Sequence, residues 1–390
     1  MICRIRLWLI AGFLAGAGAC LRAEETVPIS VSAGLFDLKN ERTLGLEELP
    51  GARSFTVFRP EADGNHYNHG AVPVVFRGRL WVQWQSSARD EDAADTRVMF
   101  AVSDDMGERW ERPQVLAAPR DGAVVTNGGW VTDGERLVAF LNIWPQGQDP
   151  RGGHLEWTET TDGKTWSEPQ RATMKDGSSF MGVMEQDLRQ AGGGRLVSAA
   201  HFQPGLHVAP CHTRDPLGKS GWVRAAMPGA EDLGATSRAM EPGWFVRRDG
   251  SLVMTFRDQK GSFRVMAAES SDGGKTWSAP VVTSLPDSRS KQSAGNLPDG
   301  TAFLVNNPTG CKRRSPLVMS LSKDGRHFDR AYLLRTLGED VETMRREGRY
   351  KRDGFSYPKC HVSDSFIIVA CAVHKERIEI TRVPVAALER

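Results

Sequence analysis

The sequence contains few features that would bind a metal, a nucleic acid or a cofactor. Its 6 cysteines form no C-x-x-C pair and no Cys/His cluster with zinc spacing, which argues against structural zinc. The formal net charge is +2 and there is no basic run, so we expect no nucleic-acid partner. A phosphate-binding loop and a nucleotide fingerprint are also missing. We therefore expect catalysis without a metal or an organic cofactor, with a structural calcium ion left open.

Long hydrophobic runs are lacking as well, and tyrosine is scarce. No apolar run is long enough for a membrane-spanning helix. The 40% of hydrophobic and 25% of charged residues are ordinary globular values, which exclude a disordered chain and a coiled coil. The chain has 11 tryptophans against 4 tyrosines, and 40 glycines. Such a composition, with few amphipathic runs, is typical of many short strands joined by tight turns.

The first 19 residues have the layout of an export signal. Arg4 and Arg6 precede an apolar run from Leu7 to Leu14, and Ala17-Gly18-Ala19 is an A-x-A cleavage site. We therefore expect a secreted, periplasmic or cell-surface protein. Cys20 follows the cleavage site directly, so a lipid-anchored form is an alternative.

Two of the remaining cysteines flank an apparent hairpin near the end of the chain. In an exported protein, Cys360 and Cys371 could form a disulfide. The alternative, two buried thiols, fits the sequence equally well.

A repeated motif, S/T-x-D-x-G-x-x-W, organises the body of the chain. Full copies occupy 103–110 and 270–277, shortened copies 160–166 and 322–328, and a degraded copy 213–222. Their aspartates are 57, 53, 57 and 52 residues apart, a period that indicates one four-stranded propeller blade per repeat. Asp accepts hydrogen bonds from the turn, Gly adopts the left-handed conformation and Trp packs between blades. We expect these boxes to be structural.

A second series of turns lies between the boxes. Glycines at positions 78, 134, 194, 250 and 300, and an aspartate at position 364, each precede a short apolar strand. Six units predict an all-β fold, a six-bladed β-propeller of four-stranded antiparallel blades, with residues near 30–60 completing the last sheet. Seven blades are the alternative, if residues 24–60 form a blade of their own. Since no linker divides the chain, we expect a single domain over residues 20–390, acting as a monomer.

Equivalent positions in these hairpins are polar where the intervening strands are apolar. Because ligand-lining residues of closed β architectures cluster at one mouth, once per repeat, they predict a site for a polar ligand such as a sugar acid. Solvated strand ends are the alternative interpretation. The polar positions selected in this way are His69, Gln85, Glu185, His201, Glu241, Arg257, Lys291 and Asn307.

Three further spacings accompany the boxes. Glu241 precedes Arg257 by sixteen positions across an Asp-Gly turn, and Arg314 stands eight residues before Ser322 of a box. Tyr357 lies shortly before the final hairpin. Together with the boxes, this pattern resembles the sialidase superfamily, the Asp-box or BNR-repeat propellers, over roughly residues 55–385.

The resemblance implies catalytic and binding roles. Arg257 and Arg314 would hold a substrate carboxylate in bidentate fashion. Tyr357, polarised by Glu241, would attack the anomeric carbon, because a neutral phenol is repelled less than an anion by a carboxylate-bearing centre. A tyrosine nucleophile is the known departure from the two-carboxylate scheme of glycosidases.

Two other family positions are matched less closely. Asp92 best fits the position of the acid/base aspartate, with Asp90 and Asp95 as alternatives in the same charged loop. Sialidases also carry an Arg-Ile-Pro near the start, whose arginine completes a triad around the carboxylate. Counting back from the first turn glycine places that arginine at about Asn68, so we expect Asn68 and His69 there instead. Loss of one charge-assisted contact costs on the order of 2–3 kcal/mol, which widens the expected substrates to acidic sugars in general.

The expected function is therefore that of an exported sialidase-like glycoside hydrolase of exo type, acting on glycans that contain sialic or uronic acid. A second hypothesis is a propeller polysaccharide lyase. It would use His69, His201 and Tyr357 or Tyr67 for proton transfer in β-elimination, with arginines stabilising the uronate. A third hypothesis is a secreted glycan-binding propeller without activity.

Overall fold

The chain forms a ring of six antiparallel blades, as the repeats predict. The computed structural model describes residues 27–339 and 341–388, and the expected export signal and Cys20 lie outside these residues. Five blades are continuous in sequence, and a 3₁₀ turn at Val385–Ala387 follows the last one. The six hairpin strands predicted after the turns are the second strands of the six blades. The fold is therefore all-β with six blades, and the alternative of a seventh blade is wrong.

The strand bounds follow the chain from β1, Ser30–Val31, and β2, Arg53–Phe58. Blade 1 consists of β3 Tyr67–Phe76, β4 Arg79–Ser87, β5 Arg97–Ser103 and β6 Gln114–Ala117. Blade 2 consists of β7 Ala123–Thr132, β8 Leu137–Pro145, β9 His154–Thr160 and β10 Gln170–Arg171. Blade 3 has its inner strand in two pieces, β11 Gly182–Met184 and β12 Arg189–Ala191, followed by β13 Arg195–Phe202, β14 His207–Thr213 and β15 Val223–Arg224.

A small hairpin, β16 Asp232–Leu233 and β17 Thr236–Ser237, leads into the second half of the ring. Blade 4 consists of β18 Ala239–Val246, β19 Leu252–Asp258, β20 Arg264–Ser270 and β21 Val281–Pro286. Blade 5 consists of β22 Ser293–Asn296, β23 Ala302–Asn306, β24 Leu317–Ser322 and β26 Arg330–Arg335, with β25 His327–Phe328 paired to β1. Blade 6 consists of β27 Phe355–Val362, β28 Phe366–Val373, β29 Arg377–Pro384 and, as its outer strand, β2.

The ring is closed by pairing the two ends of the described chain. Strand β2 runs antiparallel to β29, with Arg53 opposite Arg382 and Phe55 opposite Ile380. Phe55 packs on an apolar cluster between blades 6 and 1 that contains Ile368 and Ile380. This closure is the one expected for residues 30–60, and it covers the edge that β29 would otherwise expose.

The Asp boxes join the third and fourth strands of five blades and are structural turns. In the first box Ser103 Oγ lies 2.9 Å from Asp105 Oδ1, and the N–H of Gly107 donates to Ser103 Oγ at 2.8 Å. The indole of Trp110 donates to the Gly107 carbonyl at 3.0 Å. Each box tryptophan then packs on the preceding blade, as Trp166 does edge-on against Phe100 of blade 1 with ring centroids 5.9 Å apart.

The innermost strands bulge near the same end of the ring. The register of blade 1 shifts between His69 and Val72, that of blade 4 between Met240 and Gly243, and that of blade 6 between Ser356 and Lys359. A bulge inserts an extra residue and re-aims its side chain. Two bulged residues, Glu241 and Tyr357, have φ of 53° and 55°, a left-handed conformation that is strained for any residue but glycine.

The four described cysteines are free thiols, so the alternative of a Cys360–Cys371 disulfide is wrong. In the β27–β28 ladder Cys360 stands opposite Val369, and both thiols border the apolar core between blades 5 and 6. Within residues 27–339 and 341–388, no helix has the length and apolar character of a membrane span. The same residues contain no group of three or more His, Cys, Asp or Glu side chains arranged to hold a metal ion.

Candidate active site

Two adjoining cavities open at the end of the ring where the inner strands bulge. The narrower one, of about 200 Å³, lies over blades 1 to 4. The wider one, of about 450 Å³, lies over blades 4 to 6 and is also lined by loops of blades 1 and 2. Their shared wall contains Glu91, Asp92, Arg151, Glu241 and Tyr357. Both cavities therefore meet at a tyrosine and several carboxylates.

Tyr357 and Glu241 form the centre of this wall. The phenol of Tyr357 donates a hydrogen bond to Glu241 Oε1. Arg257 Nη1 donates to Glu241 Oε2 at 2.7 Å and to the phenol oxygen at 3.1 Å. Burial, and then the charge of Glu241, raise the pKa of Tyr357 well above its ordinary value, so the phenol is neutral at rest. A proton acceptor and a cation are both in contact with its oxygen.

Three more cations surround the tyrosine ring. The guanidinium carbon of Arg314 lies 5.4 Å from the ring centroid of Tyr357, and the ammonium groups of Lys291 and Lys375 each lie 5.6 Å from it. Arg314 is 8% exposed and donates to Ser356 Oγ at 2.8 Å. Burial lowers the pKa of Arg314, and the nearby charge of Arg257 adds to this effect. Positive charge is therefore concentrated around the ring of Tyr357.

Asp92 is the aspartate of the 89–95 loop that reaches both cavities. Arg151 of the 146–153 loop donates to Asp92 Oδ2 at 2.8 Å. Asp90 instead accepts the backbone N–H of Arg349 at 2.7 Å, and Asp95 accepts that of Ala88 at 2.8 Å. The two alternatives thus hold backbone, whereas Asp92 presents its carboxylate to the cavities.

A charged cluster lies at the base of the narrower cavity. Glu185 stands where the inner strand of blade 3 is interrupted, and His201 Nε2 lies 2.6 Å from its Oε1. Lys291 pairs with Glu185 Oε2 and also donates to Gln186 Oε1 at 3.0 Å. Burial opposes ionisation of Glu185, but the charges of Lys291 and His201 outweigh it and lower the pKa of the carboxyl. Glu185 is therefore an anion that pairs with Lys291 and contacts His201.

His69 lies between the cluster and the tyrosine. Its ring centroid is 4.3 Å from that of Tyr357, its exposure is 1%, and neither ring nitrogen has a hydrogen-bond partner among the described residues. Burial lowers the pKa of His69 well below its ordinary value, and the charges of Lys375, Arg314 and Lys291 lower it further. It is a neutral imidazole in the lining of the narrower cavity. Gln85, opposite His69 in the ladder, also lines this cavity and donates to Tyr67 Oη at 3.1 Å.

Asn68 does not reach the cavities, contrary to the expectation that it binds substrate. Its exposure is 0%, and its amide donates to the carbonyls of Asn65 at 2.7 Å and Glu376 at 2.9 Å. Its Oδ1 accepts the indole N–H of Trp84 at 3.0 Å. The side chain points away from the mouth because His69, its neighbour on the strand, points into it. Asn68 also donates its backbone N–H to Lys375 O at 2.8 Å, so it supports the hairpin that carries this lysine.

Lys375 and Glu91 are cavity residues that the sequence analysis did not find. Lys375 is 2% exposed, has φ of 55° and donates to Glu91 Oε2 at 2.6 Å. Burial lowers the pKa of Lys375, and Glu91 opposes this shift. Both residues lie in turns outside the repeat register, so counting from the turn glycines cannot reach them. The only sequence signal was their charge, which surface turns commonly carry.

The family model of the BNR repeat-like domain matches residues 78–369. No curated protein sequence matches the chain significantly. Among solved structures, the chain is similar to a sialidase at 19% identity and a TM-score of 0.65, covering 92% of this chain and 35% of that one. The chain thus spans about a third of the length of that relative.

Two further structures have similar folds. A Hadza microbial sialidase superposes with a TM-score of 0.67 at 16% identity, over 86% of this chain and 69% of that one. An intramolecular trans-sialidase from Ruminococcus gnavus, solved with oseltamivir carboxylate, superposes with a TM-score of 0.61 at 16% identity, over 86% of this chain and 98% of that one. At these identities the likeness shows the fold alone.

Proposed function

The chain belongs to the BNR repeat-like family of sialidase-type β-propellers, and from this premise we propose that it is a glycoside hydrolase that removes terminal acidic sugars from glycans. The observation that carries the proposal is the hydrogen-bonded set of Tyr357, Glu241 and Arg257 at the junction of two cavities. A phenol with a carboxylate acceptor and a guanidinium on its oxygen is a nucleophile prepared for activation.

The acidic group of the sugar would bind in the wider cavity, beside the cations that line it near Tyr357. Arg314 offers its guanidinium there, and Lys375 supplies a further positive charge beside the same ring. Charge-assisted hydrogen bonds to a carboxylate are worth about 1.5–3 kcal/mol each. Lysine is a point charge without the planar fork of arginine, so it accepts a wider range of carboxylate orientations.

Bond making then needs two proton transfers. Tyr357 Oη attacks the anomeric carbon and passes its proton to Glu241 Oε1, while Asp92, acting as the general acid, gives a proton to the departing glycosidic oxygen. The bond from the anomeric carbon to that oxygen breaks, leaving a sugar joined to the tyrosine. Water then attacks the same carbon and gives a proton to Asp92, and the freed Tyr357 takes its proton back from Glu241.

A paired assay on one purified batch tests the proposal. One half receives a chromogenic α-sialoside, and the other receives uronic acid polysaccharides while the ultraviolet absorbance of an unsaturated uronate is followed. We expect sialic acid release that falls by at least about 10³-fold in Tyr357→Phe, because the nucleophile is lost while the ring keeps its packing. Tyr332→Phe, which removes a hydroxyl from the outer strand of blade 5, is the matched control and keeps full activity. Full activity in Tyr357→Phe would contradict the mechanism.

A second candidate, β-elimination of a uronate, is favoured by one observation. His69 is a neutral imidazole whose ring nitrogens have no hydrogen-bond partner within residues 27–339 and 341–388, and it stands beside Tyr357, so a base and an acid are adjacent. This function predicts rising ultraviolet absorbance without sialic acid release, and its loss in His69→Ala. If neither half of the assay gives a product, a glycan-binding propeller without activity becomes the better proposal.

A further inference from the structure

The wider cavity has more basic side chains than its acidic ones can neutralise. Its three carboxylates each pair with one base: Asp92 with Arg151, Glu91 with Lys375, and Glu241 with Arg257. Four other basic residues line the same cavity and have no acidic partner among the described residues: Arg289, Lys312, Arg314 and Arg352. One monoanionic sugar would neutralise only one of these charges.

The four unpaired cations stand at different depths. Arg314 is buried beside Tyr357, whereas Arg289 is half-buried and Lys312 and Arg352 are exposed. The three outer ones come from separate loops, after β21, between β23 and β24, and between β26 and β27. Like charges that converge from separate loops on one cavity repel one another unless an anion lies between them.

Hydrogen bonds to a neighbouring carboxylate fix the backbone of the loop that carries Arg289. The buried Asp287 accepts the backbone N–H of Arg289 at 2.9 Å and that of Ser290 at 3.3 Å, so its carboxylate secures the backbone rather than the guanidinium. Arg289 itself has φ of 57°. A non-glycine residue held in this strained conformation by a buried carboxylate marks a position whose geometry matters.

We propose that Arg289, Lys312 and Arg352 form a second anion subsite, outside the one at Arg314. It takes a sulfate or a second carboxylate on the sugar next to the one that is cleaved. The inference rests on the proposed function and narrows its substrate class to glycans with at least two neighbouring negative charges. Arginine and lysine donors at a rim exposed to water suit both anions, because each offers several acceptor oxygens.

Binding to the inactive Tyr357→Phe protein separates this subsite from catalysis. Calorimetry at constant ionic strength compares sialyllactose with two dianionic relatives, one sulfated on galactose and one extended by a second sialic acid. We expect at least one dianion to bind about tenfold more tightly than sialyllactose, a gain of about 1.4 kcal/mol. The preferred dianion identifies the second group as sulfate or carboxylate. Equal affinity for all three ligands would overturn the proposal.

Neutralising the subsite gives the second arm. In the triple variant Arg289→Gln, Lys312→Gln, Arg352→Gln, the dianion and sialyllactose should bind with about equal affinity. The affinity for sialyllactose itself should stay within about twofold of that of the Tyr357→Phe protein. The matched control removes three exposed charges near the Asp boxes, at the opposite end of the ring, through Arg112→Gln, Lys164→Gln and Lys323→Gln, and should keep the preference. An equal loss for every ligand in both triples would show long-range attraction in place of a subsite, which contradicts the proposal.

Failure of the proposed function has a different signature. If none of the sialosides binds, the substrate class is wrong, and the subsite is then judged with inorganic selenate, located in crystals by its anomalous scattering. Selenate between the three outer residues, and absent in the triple variant, would support the subsite. Selenate at Arg314 alone, or nowhere in the cavity, would overturn it.

Discussion

Replacing Lys375 by methionine should weaken substrate binding while the fold is retained. The ammonium lies 5.6 Å from the centroid of Tyr357, is 2% exposed and is paired with Glu91 at 2.6 Å. Loss of one charge-assisted contact, worth about 1.5–3 kcal/mol, corresponds to an increase in KM of about 10- to 150-fold. The increase should lie toward the upper end, because Lys375→Met also leaves Glu91 as an unpaired anion facing the substrate carboxylate.

Replacing Glu91, the ion-pair partner of Lys375, should change KM in the opposite direction. Glu91→Gln removes that anion and frees the ammonium for the substrate, so KM should stay level or fall. The double variant Lys375→Met, Glu91→Gln should recover part of the loss, since it no longer presents a carboxylate to a carboxylate. Steady-state kinetics on the α-sialoside, with thermal unfolding measured in parallel, complete this double-mutant cycle.

The pH dependence of KM gives an independent check. Binding requires the protonated lysine, which exists below its pKa, and burial lowers that pKa while Glu91 raises it. KM should therefore rise in the alkaline range for the parent protein, and at a lower pH for Glu91→Gln. Lys219→Met, which breaks a partly exposed pair with Glu159 (3.1 Å) on another part of the ring, should leave KM unchanged. If both cavity single variants raise KM, or if they change only the unfolding temperature, Lys375 is a structural residue and the reasoning is refuted.

Three further outcomes are expected. Asp92→Asn should lower kcat by about 10²–10⁴-fold on substrates with poor leaving groups and much less on activated aryl glycosides, and an equal loss on both would contradict the acid role. Gly107→Ala should destabilise the fold by roughly 2 kcal/mol or more, because a Cβ at this position would overlap the side chain of Ile380 and because the φ of 101° is left-handed. Thermal denaturation checks this, and an unchanged melting temperature would contradict it. Burial raises the pKa of Asp287 to about 6, above its value in the unfolded chain, so the folded protein is less stable near pH 7 than near pH 4. Measured relative to Asp287→Asn, the free energy of unfolding of the parent protein should increase by about 3 kcal/mol as the pH falls from about 7 to 4. A difference between the two proteins that does not change with pH would contradict this account.

The sequence predicted the ring and much of its mouth because both follow from repetition. The boxes and turn glycines fix the blade count, and counting from them brings Glu241, Arg257, His69 and Glu185 to the two adjoining cavities. The same counting failed one residue away, at Asn68, since the side that a strand residue faces depends on where the bulge lies. Counting positions from the repeated turns does not predict where a strand bulges.

The loops between blades could not be predicted in this way. Lys375, Glu91, Arg151 and Arg289 stand in turns of unequal length, where no period applies and each charge resembles an ordinary solvated one. Their role comes from long-range contacts, such as the pair between Lys375 and Glu91, which are separated by 284 positions in the chain. Only the closed ring brings such positions together.

Ring closure makes the activity depend on residues far from the mouth. Blade 6 carries Tyr357 and Lys375, yet its outer strand is Arg53–Phe58, which joins it from the opposite end of the chain. A proteolytic cut that releases this short segment would expose the hydrogen-bonding edge of β29, two strands away from the strand that carries the proposed nucleophile. The protein would then lose blade 6 first, so partial degradation should abolish the proposed activity before the other five blades unfold.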